Sequence, residues 1–250
     1  MAIRAHGFSL EWIATIGRAA ALRTTGRSAK GAFMIFANRS EAGRGLASRL
    51  REYADRNDVV VLGVPRGGVP VAFAVAKALR VPLDVFVLRK LGVPGQEEFA
   101  FGAIASGGTR ILDFQILRKL GLSTSDVDAV TAREREELLR RERIYRRGLP
   151  PLRLAEKTVI LIDDGAATGA SLRAGIRAVR QLAPAKLVVA IPVAPPETCK
   201  RLAGEVEEIV CAATPENFRA VGQFYDEFRE VSDAEVTSLL AGAHAAEMAR

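Results

Sequence analysis

Cysteine, histidine and tryptophan are nearly missing from this 250-residue chain, which has two, two and one of them. Cys199 and Cys211 form no CxxC pair, so neither a disulfide framework nor a thiolate zinc site is expected, and their scarcity points to a reducing, cytoplasmic compartment. Both sit in apolar stretches without a neighbouring base, which argues against thiol catalysis. His6 and His244 accompany no motif, so a histidine triad or a histidine metal centre is also set aside. No apolar run approaches the ~18 residues of a membrane span, and no secretory apolar core follows the basic N-terminus, so no membrane partner is expected. Internal repeats and low-complexity segments are lacking as well. What remains, 49% hydrophobic and 26% charged residues, is an ordinary globular mixture long enough to bury a core without staples.

The formal net charge is +7, but residues 1–33 hold five basic residues against the single acid Glu11, more than half of the excess. Residues 148–250 are net acidic, with 11 basic and 14 acidic side chains. A basic face for nucleic acid is therefore not expected. The Ala-, Arg- and Thr-rich segment 1–33 reads either as a targeting-like extension or as a stretch ahead of a true start at Met34. In both readings it is a poorly ordered extension, with the functional domain spanning 34–250.

From Met34 onward apolar positions recur at helical spacing over 41–53, followed by continuous apolar runs at 58–64, 83–88, 158–162, 187–193 and 208–212. Helical stretches separate several of them. The expected fold class is α/β, an open and mostly parallel sheet with flanking helices, because parallel neighbours require crossovers and a sheet covered on both faces reads as unbroken apolar strands. Segment 123–147 reads as a capped helix with charges of alternating sign. That pattern describes a solvated face or, alternatively, a helix packed over the site or against a second subunit.

The most informative stretch runs from Thr158 to Ser171. An apolar strand delivers Asp163 and Asp164, then the small residues Gly165, Ala166, Ala167, Thr168, Gly169 and Ala170, then Ser171 in a helix. Small residues at a helix start let backbone N–H groups approach an anion, and Thr168 and Ser171 add hydroxyls. The two carboxylates would repel a bare pyrophosphate, so they call for ribose hydroxyls or a divalent cation such as Mg2+. A Walker loop lacks its lysine here, since position 170 is Ala, and G-x-G-x-x-G is incomplete.

This stretch resembles the phosphoribosyl-diphosphate (PRPP) motif of type I phosphoribosyltransferases, and the likeness extends over about 36–235, most nearly to a bacterial branch with a Val-Pro-Arg-Gly-Gly loop. The resemblance implies that family's fold, with a small hood and a flexible lid loop, and Mg-dependent transfer of phosphoribosyl from PRPP to a nitrogen acceptor with release of diphosphate. Asp163 and Asp164 would hold the ribose hydroxyls and the metal, and Ala166 to Ser171 the 5-phosphate.

Read alone, Gly63 to Pro70 is a glycine-rich turn; within the resemblance it is the diphosphate loop, with Arg66, Gly67 and Gly68 as contacts. The stretch after Arg89 and Lys90 corresponds to the flexible lid, and either base could reach the diphosphate or simply be surface charge, Lys90 being the catalytic candidate. Within it, 99–105 reads as a strand. Phe224 and Tyr225 are acceptor-stacking candidates in the hood, against a packing role. Ala167 stands where enzymes of 6-oxopurines typically carry Asp, which favours an adenine-type loop over guanine or hypoxanthine. A homodimer is a further expectation. The competing readings are a regulatory protein that binds PRPP without turnover and, disfavoured for want of an ATP-binding segment, an enzyme that makes PRPP.

Overall fold

The computed structural model describes residues 21–24, 36–147 and 149–248. Six parallel strands form the main sheet in the order β1-β9-β8-β7-β2-β3. They are β1 (Ala21–Thr24), β2 (Val59–Gly63), β3 (Leu83–Val85), β7 (Thr158–Ile162), β8 (Lys186–Val193) and β9 (Glu208–Ala213). Of the expected 1–33 extension, only 21–24 are described, and they pair with β9 from Ala21 beside Glu208 to Thr24 beside Cys211. The remainder of that segment and Met34 lie outside the described residues.

The unbroken apolar strands are explained by cover on both faces. In β7, Ile160 and Ile162 pack with Leu46, Val69 and Val75 on one side, while Val159 and Leu161 pack with Leu172, Ile176 and Val179 on the other. The first layer is built by α1 (Arg39–Ala47), α2 (Gly68–Leu79) and α7 (Asp233–Met248), and the second by α5 (Ala170–Arg180) and α6 (Pro196–Ala203). The helix expected over 41–53 divides into α1, capped by Asn38, and a 3-10 turn at Arg51–Tyr53.

Two expectations need correction. The stretch following Arg89 is not an open loop, but a three-stranded antiparallel sheet of β4 (Leu88–Val93), β5 (Gln96–Ala105) and β6 (Thr109–Leu112). Its glycines serve close backbone approach rather than looseness: a Cβ on Gly92 would lie 2.5 Å from the Glu97 carbonyl oxygen, and one on Gly102 2.4 Å from that of Ile111. The apolar run 83–88 accordingly splits at Phe86 between β3 of the main sheet and β4 of the small one. Second, the two cysteines do pair. Packing α6 on β9 brings buried Cys199 and Cys211 together in a disulfide, with their Cα atoms 6.9 Å apart.

After α3 (Phe114–Leu120), the charged segment forms α4 (Thr124–Tyr145), opened by a Ser123–Asp126 capping box. The solvated face is present, and the opposite face packs against the small sheet and α7. Glu137 pairs with Arg140 and Arg141 on one face, while Val127, Val130, Leu138 and Tyr145 are buried on the other. Among the described residues, no helix is long and apolar enough to cross a membrane.

Candidate active site

The chain leaves β2 through α2 toward β3 on one side, and leaves β7 through α5, β8 and α6 toward β9 on the other. Adjacent strands β2 and β7 are therefore where the winding reverses, the place at which open α/β sheets leave a crevice beyond the strand ends. The two glycine-bearing loops singled out in the sequence follow these two strands.

They meet directly. A Cβ on Gly67 would lie 2.1 Å from Asp164 Oδ2, and one on Gly68 would lie 2.6 Å from the Ile162 carbonyl oxygen and 2.8 Å from Asp163 Cα. Glycine is thus required for contact with the acidic pair rather than for conformational freedom, because Gly67 itself has right-handed helical angles (φ −60°, ψ −35°). The Val64 N–H donates to the Ile162 carbonyl at 2.8 Å, lacing the loop to the end of β7, and the Pro65–Arg66 peptide is cis.

Burial raises the Asp163 carboxyl well above its usual range, and the neighbouring Asp164 charge pushes it further. Asp164 is also raised by burial, but Arg39 opposes the shift. Arg39, itself buried, places Nε and Nη2 each 2.9 Å from Asp164 Oδ2, donates from Nη1 to the Arg229 carbonyl at 2.8 Å, and stacks its guanidinium 3.9 Å from the Phe228 ring centroid. Nothing in the local sequence sets Arg39 apart among the 36 lysines and arginines of the chain. Only its place in the first turn of α1, carried under the hood, makes it a partner of the acids.

Downstream, Gly165 is pressed under Val221, and the Ala166 N–H donates to the Val193 carbonyl at 3.0 Å. Ala167 and Thr168 are then exposed, Gly169 adopts a left-handed conformation (φ 72°) that releases the loop into α5, and exposed Ala170 and Ser171 form the first turn. The sequence-predicted cradle is therefore a single exposed strand-to-helix turn beside the acids.

The remaining candidates are placed as follows. Arg66 pairs with Glu230 and, at 3.7 Å, with Asp233 at the start of α7, an aspartate that also accepts the Tyr145 hydroxyl at 2.5 Å. Arg89 gives Nε and Nη2 to Glu134 of α4 at 2.9 and 2.6 Å. Lys90 follows it on β4 and is exposed, so the two bases leave opposite faces of that strand. Phe224 is buried with its ring stacked 5.4 Å from Phe218. Tyr225 is buried between Phe36 and Phe228 and donates its hydroxyl to the Asp164 carbonyl at 2.6 Å, so its ring braces the acidic turn. Burial and then the Asp164 charge raise the pKa of that hydroxyl, keeping it a donor. Beside these rings, Glu216, Asn217, Phe218, Arg219 and Gln223 line an open concavity of about 750 Å³.

The donor set suits a cation of the magnesium kind: two carboxylates at one crevice, one of them already neutralised by Arg39, leave most coordination positions to water and to ligand oxygens.

Comparison with known proteins agrees with this geometry. The family model described as "Phosphoribosyl transferase domain" matches residues 34–229. Proteins of two Mycobacterium tuberculosis strains, each named "Putative phosphoribosyl transferase", are 47% identical over 210 residues, which is 84% of this chain and 47% of theirs. The chain thus spans about half the length of these curated relatives. The crystal structure of TT1426 from Thermus thermophilus superposes with a TM-score of 0.74 at 42% identity, covering 84% of this chain and 99% of that one. With a switch-point crevice, paired acids and a glycine loop against them, and with most of its length matched, the chain belongs to the phosphoribosyl transferase domain family.

Proposed function

We propose that this protein transfers the 5-phosphoribosyl group of PRPP to a nitrogen acceptor, a nucleobase, and releases diphosphate. The observation that carries the reading is the near-contact of Gly67 with Asp164, which sets a diphosphate loop and a ribose-binding acidic pair at one crevice with the small-residue turn alongside. Asp163 and Asp164 accept the 2- and 3-hydroxyls of the ribose. The turn from Ala166 to Ser171, exposed at Ala167, Thr168, Ala170 and Ser171, takes the 5-phosphate, aided by the start of α5. The Gly67–Gly68 peptides and Arg66 receive the diphosphate, and Arg66 exchanges Glu230 and Asp233 for it. Of Arg89 and Lys90, which leave opposite faces of β4, one can serve the diphosphate from the small sheet.

In the reaction the bond from C1 of the ribose to the diphosphate oxygen breaks, with its electron pair leaving on diphosphate. The acceptor nitrogen bonds to C1 and gives up its proton. The protein supplies position, charge neutralisation and exclusion of water rather than a covalent partner. A magnesium ion held by Asp163 and Asp164 would neutralise charge on the departing diphosphate. The acceptor lies in the concavity lined by Asn217, Phe218 and Gln223, whose segment packs over Gly165 through Val221. Ala167 presents no carboxylate to a purine proton, so an acceptor other than a 6-oxopurine fits best. The reaction belongs to nucleotide metabolism in the cytoplasm.

The test is diphosphate release from Mg-PRPP across a panel of bases, with binding followed by calorimetry. Release with at least one base is expected. Asp164→Asn should weaken PRPP by about 1.5 to 3 kcal/mol, the scale of hydrogen bonds to a charged group. Tight PRPP binding with no release from any acceptor would instead make the protein a PRPP-responsive regulator, and unchanged affinity in Asp164→Asn would remove the acids from the site.

A further inference from the structure

A backbone anion cradle works only if its N–H groups face the ligand and its carbonyls face away. Each peptide is planar and trans, so fixing a carbonyl fixes the opposed N–H of the next residue. In the turn after Asp164, three successive carbonyls are fixed. Thr198 Oγ1 donates to the Ala167 carbonyl at 2.7 Å, Arg201 Nη1 donates to the Thr168 carbonyl at 3.0 Å, and the Gly169 carbonyl accepts the Arg173 N–H inside α5 at 2.8 Å. The first two donors come from α6, a helix that is remote in sequence and carries none of the predicted site residues.

α6 is well placed to do this. Thr198 is 2% exposed, and a Cβ on Gly169 would lie 3.0 Å from Thr198 Cγ2 and 3.4 Å from Leu202 Cδ2, so the helix lies directly behind the turn. The next residue, Cys199, is bridged to Cys211 on β9, and buried Leu202 anchors the following turn of the helix. Ala167 and Thr168 meanwhile remain exposed on their other side. The turn is thus gripped by its carbonyls from behind and open toward its N–H groups in front.

We propose that Thr198 and Arg201 are positioning residues for the 5-phosphate: by holding the Ala167 and Thr168 carbonyls from behind, they aim the Thr168 and Gly169 N–H groups into the cradle before ligand arrives. This inference rests on the assignment of that turn to the 5-phosphate. Without the two donors, either peptide is free to turn over and bring a carbonyl oxygen against the phosphate, and the preorganisation that makes backbone donors effective is lost. Arg201 also contributes positive potential behind the same peptides. Neither side chain is required to touch the ligand.

The test compares two ligands on the full chain by calorimetry. Ribose 5-phosphate uses the cradle, and Mg-diphosphate does not. Thr198→Val, which keeps the shape and removes the hydroxyl, should weaken ribose 5-phosphate and PRPP about tenfold while leaving Mg-diphosphate within twofold, and Thr198→Ser should restore binding. Arg201→Met should weaken the same two ligands severalfold with the same selectivity, and it decides the matter should Thr198→Val not fold. In turnover the expected effect is on the KM for PRPP, with kcat little changed. Equal loss of ribose 5-phosphate and diphosphate would mean general damage and would overturn the positioning role. So would wild-type affinity for ribose 5-phosphate in both variants, while leaving the transferase reading intact. Failure of the unmodified protein to bind PRPP or ribose 5-phosphate would overturn the assignment of the site itself, and this inference with it.

Discussion

Gly67→Ala isolates the contact on which the site depends. The backbone there is right-handed helical, so alanine introduces no strain, and by restricting the unfolded chain it would otherwise stabilise by about 0.4 to 1 kcal/mol. Its methyl group, however, would stand 2.1 Å from Asp164 Oδ2 and 2.7 Å from Asp164 Cγ. The carboxylate must rotate away, and in doing so it gives up its two 2.9 Å contacts with the Arg39 guanidinium. Hydrogen bonds to a charged group contribute about 1.5 to 3 kcal/mol each, and partial repair by water and rotation leaves a net cost of about 2 to 3 kcal/mol. For a domain of this size that corresponds to a fall in Tm of roughly 4 to 12 °C. Affinity for Mg-PRPP, which needs the same carboxylate in place, should fall by at least tenfold. Gly204→Ala is the control, since the nearest atom to its Cβ is the Arg201 carbonyl oxygen at 3.6 Å and its φ is −71°. It should leave Tm unchanged or raise it by roughly 1 to 4 °C. Scanning fluorimetry and calorimetry read both outcomes, and a Gly67→Ala protein with wild-type Tm and wild-type PRPP affinity would refute the argument that this glycine is kept for contact with Asp164.

Arg39→Met leaves the part-buried Asp164 without its cation and should destabilise by about 1.5 to 3 kcal/mol, the scale of hydrogen bonds to a charged group; a change below about 0.5 kcal/mol in chemical denaturation would contradict the pairing. Tyr225→Phe removes the donor to the Asp164 carbonyl while keeping the ring between Phe36 and Phe228. A loss of about 0.5 to 1.5 kcal/mol and a weaker affinity for PRPP are expected, and an unchanged protein would show the hydroxyl to be idle. Closing the loop between Cys199 and Cys211, 12 apart in sequence, should contribute about 3 kcal/mol through chain entropy, so melting under dithiol should occur several degrees lower, and coincident melting curves would refute it.

Much of the sheet was legible because its signal is local. A strand buried on both faces must be apolar throughout, and 158–162 matches β7 residue for residue. Asp163 and Asp164 announced themselves for the opposite reason: two adjacent acids at the end of such a strand have no structural explanation. The misjudged stretch after Arg89 shows where composition misleads. The strand reading of 99–105 matches the C-terminal part of β5, but the glycines at 92 and 95 read as a flexible loop, whereas Gly92 answers to close strand approach and Gly95 to a tight turn at φ 79°. Aromatic clustering marked a segment that packs on the acidic turn, yet could not tell which side of each ring faces protein. Phe224 and Tyr225 are packed, while Phe218 and the open concavity lie on the outer side. The disulfide was invisible because Cys199 and Cys211 meet only once α6 lies on β9.

What sequence could not show at all is the set of contacts made across long separations, and these govern the electrostatics of the site. Arg39 reaches Asp164 across 125 residues, Arg66 reaches Glu230 across 164, and the Tyr225 hydroxyl reaches the Asp164 carbonyl across 61. Two part-buried carboxylates at one strand end repel each other and lose hydration, and both effects raise the Asp163 pKa, while loss of hydration raises that of Asp164. Arg39 counters this at Asp164 from the beginning of the domain, and Tyr225 fixes the turn from its end. Residues from both ends of the domain therefore act on the acidic pair. The segments that look least like an active site in the sequence are thus the ones that pair with Asp164 and brace its turn.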